Sequence, residues 1–562
     1  MSETILELFE SNSRKFGPRC CFRFKENGAW HSLSWTQAVE KIESLATGLK
    51  QLGIQKGERI AIFSGSSVYW TLSDLAILWC GGITVPIYQS ETAAQVRFIL
   101  QDSNTKIVFV QGGKPFEIIF SLLPELPQIQ KVVLMARNNP SPHEKILSLE
   151  ELETLSEKRT HRIPVEPADI ATIVYTSGTT GIPKGVVLTH QNILAETEAC
   201  ARILPVSPKD ESLLFLPLAH ILARAIQFLQ LRVGFIHAYA ESVEKVSENF
   251  KEIRPHFIVT VPRIFEKAFE KIHARLGAKG SIKQALFYGA LSVGEARPKG
   301  ILGHFKIFLA EKLVFKKIRE AFGGRLRFAI SGGAALSEEL GKFFKTIGIP
   351  IYNGYGLTET TAAINCNSPG NFHCGTVGKP IWGVSEKIAP DGEILAKGEM
   401  IFKEYFNNKE ETLAAFDEQG WFKTGDIGYF NSEGHLIITD RKKDLIVTAA
   451  GKNIAPQKIE NLFKGDPLIN QIVVLGDGRK HLAALVTLHR KEMMTEPGIR
   501  EKVWKRIEEK NRELASFESI KKFTLLEEEF SLEKGELTQT LKIKRKMIGE
   551  KYKDVIEKMY QE

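Results

Sequence analysis

The sequence predicts an α/β protein: a large N-terminal domain with mostly parallel sheets flanked by helices plus a small barrel-like section, and a hinged small α+β C-terminal domain. Three observations predict it. Segments of helical periodicity alternate with short β-branched apolar runs over most of the chain; the pattern shifts to short strands and turns between about 375 and 440; and a charge-dense junction at 440–444 precedes a second, smaller set of elements.

Trp35 to Leu52 spaces its apolar residues at helical intervals, 59–63 (RIAIF) reads as a strand, and Thr71 to Trp79 as a helix. Further strands fall at 106–110 (KIVFV), 131–135 (KVVLM), 170–175 (IATIVY), 257–261 (FIVTV) and 326–331 (LRFAIS), each near a helix or a Gly-rich turn. Alternation of this kind favours parallel pairing, and ligands of such sheets collect in loops beyond strand C-termini. The loops 175–186 and 331–336 both follow a predicted strand. Short strands at 392–396, 428–430 and 436–439 make up the barrel-like section, and DRKKD at 440–444 is too polar to be buried. The chain then runs through segments at 452–462, 471–475 and 482–488 to a charged helix over 500–515. The domains are therefore expected at 1–439 and 445–562, with 440–444 as hinge.

At 562 residues one compact core is not expected, and 43% hydrophobic with 25% charged residues is the composition of a globular protein rather than a disordered or fibrous chain. A net charge of +8 favours anionic ligands or an anionic membrane surface without requiring nucleic acid. MSETILELFESNSRKFG interrupts its apolar positions with acids, unlike a signal peptide, and the longest apolar runs contain Gly and Pro and are too short to span a bilayer. Six cysteines, two of them adjacent at 20 and 21, make no disulfide framework; a reducing cytoplasm fits, with any membrane contact peripheral. Cys366, His373 and Cys374 lack a fourth ligand at zinc-like spacing, so packing is the expected role.

The chemistry concentrates first in YTSGTTGIPKGV at 175–186, which follows the strand at 170–175. Glycines there let backbone amides converge on an anion, hydroxyls add donors and Lys184 adds a cation, so the loop reads as a phosphate cradle. It is not a Walker A loop: the lysine has the wrong spacing from Gly178 and is followed by Gly185 rather than Ser or Thr. On these residues alone, a Gly/Thr-rich surface turn between strands is the alternative.

Further strings follow in order: LPLAH at 216–220, VPRIFEK at 261–267, SGGAAL at 331–336, GYGLTET at 354–360, WFKTGD at 421–426 and DRKKDLIVTAAGKNIAP at 440–456. The ordered set resembles the adenylate-forming (AMP-binding) enzymes and, within them, the long-chain acyl-CoA synthetases. That resemblance implies that Thr176, Ser177, Gly178, Thr179, Thr180, Gly181 and Lys184 hold the ATP phosphates and the departing pyrophosphate. It implies that Tyr355, beside Gly356, packs on adenine, that Thr358 contacts the α-phosphate and that Glu359 helps to hold Mg²⁺. Gly332, Gly333 and Ala334 resemble the adenine-lining segment; Asp426 and Arg441 the ribose-binding pair; Lys443 the hinge. Ala450-Gly451-Lys452-Asn453 resembles the face that enters for the second half-reaction, with Gly451 and Lys452 beside coenzyme A. His220 and Arg263 lie in segments that resemble the acyl-site wall.

One departure stands out. The family presents a Gly-Lys near its C-terminus whose lysine reaches the acyl carboxylate, whereas here the chain reads GELTQTLKIKRK from Gly535; Thr540 takes the ungapped position, Lys542 is the nearest candidate and Lys544 the second. Ile221, Leu222, Ile226 and Phe228 suit an aliphatic chain, and no acid between Leu214 and Phe228 would pair with an amine, which favours a plain carboxylate substrate. The expected activity is ATP- and Mg²⁺-dependent ligation of a medium- or long-chain fatty acid to CoA. Two alternatives stay open: delivery to an acyl carrier protein or use of an aromatic acid, and a non-catalytic nucleotide- or acyl-binding protein.

Overall fold

The computed structural model describes residues 3–135, 143–155, 161–177, 183–276, 281–449, 451–531, 533–537 and 543–561. Two mixed sheets dominate. The nine-stranded sheet runs in the order 379–380, 365–366, 351–355, 328–331, 257–260, 211–214, 236–239, 20–26 and 29–34; its centre is parallel and its edges antiparallel. The eight-stranded sheet runs 404–405, 183–189, 170–177, 83–87, 59–63, 107–110, 131–134 and 146–148, parallel from 170–177 onward.

Helices with apolar faces fill the space beside these sheets, and their ends follow local capping chemistry. Ser34 and Gln37 form a capping box that starts Trp35–Gln51, and Thr189 with Asn192 does the same for His190–Ile203. The helix expected from Thr71 begins at Val68, because Ser67 accepts the Trp70 amide as N-cap. In Ile221–Val233, Gly234 at φ 88 provides the left-handed stop.

A buried ion pair crosses the main core. The Arg224 guanidinium meets Asp74 at 2.5 Å, both side chains fully buried. Thr84 and Gln227 donate to the same carboxylate at 2.7 and 2.8 Å, and Arg224 also donates to Thr172 at 2.5 Å. Two helices and two strands are thereby joined at one point.

The barrel-like section is a four-stranded antiparallel sheet, 384–388, 393–398, 422–430 and 436–441. The polar junction departs from expectation: Asp440 is buried. Its carboxylate accepts the Gln457 and Arg441 amides at 2.7 Å each, which offsets its desolvation, while burial still pushes its pKa up to about 6. Beyond it, a three-stranded sheet of 469–475, 482–488 and 520–525 packs with the helix Ile499–Asn511, expected at 500–515. The hydrophobic clusters that begin at Ile446 contain no earlier residue, so this part holds a core of its own. Among the described residues no helix is long and apolar enough to cross a membrane.

Candidate functional site

Three sheets deliver their ends to one cavity of about 550 Å³. From the eight-stranded sheet, the strands 170–177 and 183–189 form an antiparallel hairpin that sets Thr176 opposite Lys184. From the nine-stranded sheet, neighbouring parallel strands end at Ser331 and Tyr355 and turn into Gly332, Gly333 and Gly356. From the four-stranded sheet, the pairing of 422–430 with 436–441 sets Asp426 opposite Arg441.

Asp426 is the most constrained member. One carboxylate oxygen accepts from the Tyr355 hydroxyl at 2.7 Å, and the other faces Arg441 Nε at 2.8 Å. Asp426 raises the Arg441 pKa, while burial first and Asp426 second raise that of the Tyr355 phenol. Lys443, in the turn Lys442–Asp444 on the cavity rim, has its pKa lowered by burial and by the nearby Arg441.

A second polar chain lies across from this pair. Tyr405 donates to Glu359 at 2.8 Å, and Lys184 sits 5.4 Å from the Tyr405 ring centre while pairing with Glu411 at 2.6 Å. Burial first and Glu359 second raise the Tyr405 phenol. Thr358 and Glu359 occupy a single 3₁₀ turn after Leu357. Gly356 is required there by close approach, since an added Cβ would lie 1.5 Å from the Ala362 carbonyl oxygen. Glu359 fits a Mg²⁺ ion of the kind that takes one carboxylate, with water and substrate phosphate supplying the rest; no group of three His, Cys, Asp or Glu able to hold a metal occurs among the described residues.

The same cavity is also lined by apolar side chains, Leu204, Ile221, Leu222, Ala225, Ile226 and Ile330. His220 lines the same space and caps the helix Ile221–Val233, its Nδ1 accepting the Leu222 amide at 3.1 Å. One carboxyl interrupts the wall. Glu196, 2% exposed, accepts from the Cys200 thiol at 3.1 Å, and burial pushes its pKa up to about 7.

Of the residues singled out in the sequence, Thr176, Lys184, His220, Gly332, Gly333, Tyr355, Gly356, Thr358, Glu359, Arg441 and Lys443 line the cavity. Asp426 stands behind Tyr355 and Arg441, and Ala334 follows the lining glycines. Ser177 closes its strand; Gly178, Thr179, Thr180, Gly181 and Lys542 lie outside the described residues. Arg263 is not among the lining residues: it engages Glu266 at 3.3 Å, Glu270 at 3.6 Å and Asn470 at 3.2 Å. Gly451, at φ 71, and Lys452, 5.9 Å from the Phe517 ring centre, lie apart from the cavity. Lys544 acts on Glu91, whose carboxyl is pushed up by burial against the pull of that ammonium. Sequence reading missed Tyr405, Glu411 and Glu196, none of which belongs to the quoted strings.

Two family models match the chain: AMP-binding enzyme over residues 9–406 and AMP-binding enzyme C-terminal domain over 443–562. A long-chain-fatty-acid–CoA ligase of Mycobacterium bovis is 36% identical over 95% of this chain and 93% of its own length. The peroxisomal long chain acyl-CoA synthetase 7 of Arabidopsis thaliana is 32% identical over 96% and 83%. Among solved structures, the adenylation domain of a carboxylate reductase from Mycobacterium chelonae superposes with a TM-score of 0.83 at 23% identity, covering 100% of this chain and 91% of that one. An anthranilate CoA ligase in complex with anthranoyl-AMP gives 0.80 at 18%, covering 99% and 98%. At such identities the two structures establish the fold alone.

Proposed function

The chain belongs to the AMP-binding enzymes, and from that premise we propose that it activates a long-chain fatty acid with ATP and passes the acyl group to CoA, releasing pyrophosphate and then AMP. The observation that carries this reading is a single cavity lined both by the charged groups Lys184, Glu359 and Arg441 and by the aliphatic side chains Ile221, Leu222, Ala225 and Ile226. A nucleotide polyphosphate suits the first and an alkyl chain the second.

In the first half-reaction a carboxylate oxygen of the fatty acid attacks the α-phosphorus, and the bond to the bridging oxygen of pyrophosphate breaks. Charge on the phosphates is the main obstacle, so preorganised cations are the main contribution. In this proposal Lys184 exchanges Glu411 for phosphate, Thr176 and Thr358 donate hydroxyls, and Asp426 with Arg441 fixes the ribose. Bound Mg²⁺ would neutralise phosphate charge, with Glu359 as its protein ligand. In the second half-reaction the CoA sulfur attacks the acyl carbonyl, the thiol proton is released, and AMP leaves with the electron pair of the broken C–O bond. The separate cores before and after the junction support a hinge at 440–444 that would bring Gly451 and Lys452 to the cavity between the two steps.

Carboxylate-dependent exchange of pyrophosphate into ATP, followed across acetate, palmitate, benzoate and amino acids with and without CoA, tests the reading. Exchange that peaks with long aliphatic acids, with acyl-CoA and AMP formed on adding CoA, is expected. ATP binding with no exchange for any acid would leave a non-catalytic binder, and preference for a carrier-protein thiol would reassign the acceptor.

A further inference from the structure

We propose that the helical hairpin Ile282–Ala296 and Gly300–Ala310 is a docking surface for an anionic phospholipid bilayer. Nine of the 18 exposed large hydrophobic side chains among the described residues lie between positions 282 and 313. Such crowding is not the ordinary scatter of surface apolar residues.

The second helix is inverted relative to a water-soluble one. Its buried residues are the small ones, Gly303 and Ala310, while Ile301, Leu302, Phe305, Phe308 and Leu309 face outward, Ile301 with 93% of its surface exposed. Those five sit at i, i+1, i+4, i+7 and i+8, which is one helical face. Gly303 packs on the turn that precedes this helix: an added Cβ there would lie 2.3 Å from the Pro298 carbonyl oxygen. The first helix adds Ile282 and Leu286 one turn apart, while Phe287 and Ala290 point inward. Among the described residues this face is left exposed, and water is a poor solvent for it.

Charge selects the occupant. From 282 to 317 the chain carries Lys or Arg at 283, 297, 299, 306, 312, 316 and 317, all exposed, against Glu295 and Glu311. Glu311 is engaged by Arg319. Two copies packed face to face would oppose like charges, whereas anionic headgroups complement the basic rim while the apolar side chains enter the acyl boundary. Such a surface would also set the enzyme where a long-chain acid partitions, a clause that rests on the proposed activity.

Flotation of the full chain with vesicles tests it. The wild type is expected to float with phosphatidylcholine vesicles carrying phosphatidylglycerol, more weakly as salt rises, and to stay behind with phosphatidylcholine alone. The charge variant K306Q/K312Q should bind the anionic vesicles about tenfold more weakly, and I301S/F305S/F308S should not float. The charge variant alters only exposed side chains, so it carries the test if the apolar variant fails to fold. The proposal is overturned if the wild type floats with neither vesicle, if both variants float like wild type, or if sedimentation shows a dimer that the apolar variant splits. Flotation needs no turnover, so loss of pyrophosphate exchange would strike the ligase reading and leave this one standing.

Discussion

Asp426 shows how a residue of a short string acquires a role from its partners. Both of its oxygens are engaged, by Tyr355 and by Arg441, in a position beside the cavity. Charge-assisted bonds of this kind contribute about 1.5–3 kcal/mol each to stability, so Asp426→Ala should lower the Tm and, by freeing Arg441 and Tyr355 from their positions at the cavity, raise KM for ATP by about 10–100-fold. Steady-state kinetics checks it, and an unchanged KM would remove Asp426 from nucleotide binding. Glu196 makes a prediction of the opposite kind. Burial lifts its carboxyl from the ordinary 4.5 to about 7, so the folded chain keeps a proton that the unfolded chain has already lost. Its contribution to stability is full below the unfolded value and is lost as pH rises through the folded one, a loss on the order of 3 kcal/mol. Glu196→Gln should therefore match wild type near pH 4 and be the more stable near pH 8, as read by urea unfolding; coincident curves at both pH values would sink the idea. Glu386, also lifted to about 7 by burial, stays in both chains and cancels from the comparison. The sequence made the ring of charges readable because each member lies in a distinctive string. Glu196, Tyr405 and Glu411 were illegible, because nothing in their spacing says what they will face.

At the scale of elements, the Arg224–Asp74 pair ties the helices Ile221–Val233 and Val68–Trp79 to the strands Ile83–Ile87 and Ile170–Ser177. Removing one partner leaves an uncompensated charge in the core. Arg224→Met should destabilise the chain by about 3–5 kcal/mol, and Asp74→Leu with Arg224→Met by clearly less than the two single changes summed. Equilibrium unfolding of the four chains decides it; strict additivity would mean that the pair is energetically idle. Periodicity located most elements because it reports which face is buried. It mislaid the start of the helix at Val68 because the cap is a single serine, and it gave no register for the hairpin that puts Thr176 opposite Lys184. Register depends on pairing between distant backbones, which residue order does not state.

At the scale of the whole molecule, the residues before and after the junction at 440–444 meet at specific points. Arg263 meets Asn470, Lys464 donates to the Ala335 carbonyl at 2.7 Å, and Asp440 accepts the Gln457 amide. Each of these three is a polar contact, of the kind common between surfaces that separate and re-form. If the junction rotates between half-reactions, Lys443→Pro should leave acid-dependent pyrophosphate exchange near wild type and slow thioester formation by up to about 100-fold. Rapid-quench measurement of each step separates the two; equal slowing of both would show that Lys443 serves the site rather than a rotation.

The sequence by itself determined the α/β class, the family resemblance and the composition of the charged ring, because helical and strand periodicities and short motif strings are properties of residue order. Tertiary structure alone decided which of those residues meet. Asp440, polar enough to belong in water, is buried because two backbone amides from different elements reach its carboxylate. Arg263, within a string that resembles an acyl-site wall, faces the C-terminal body because Glu266, Glu270 and Asn470 surround its guanidinium. The large apolar side chains of 301–309 stay exposed while the small Gly303 and Ala310 take the buried positions of their helix. For Asp440 and Arg263 a deciding partner, Gln457 or Asn470, lies far off in the chain, and a contact of that range has no local signature.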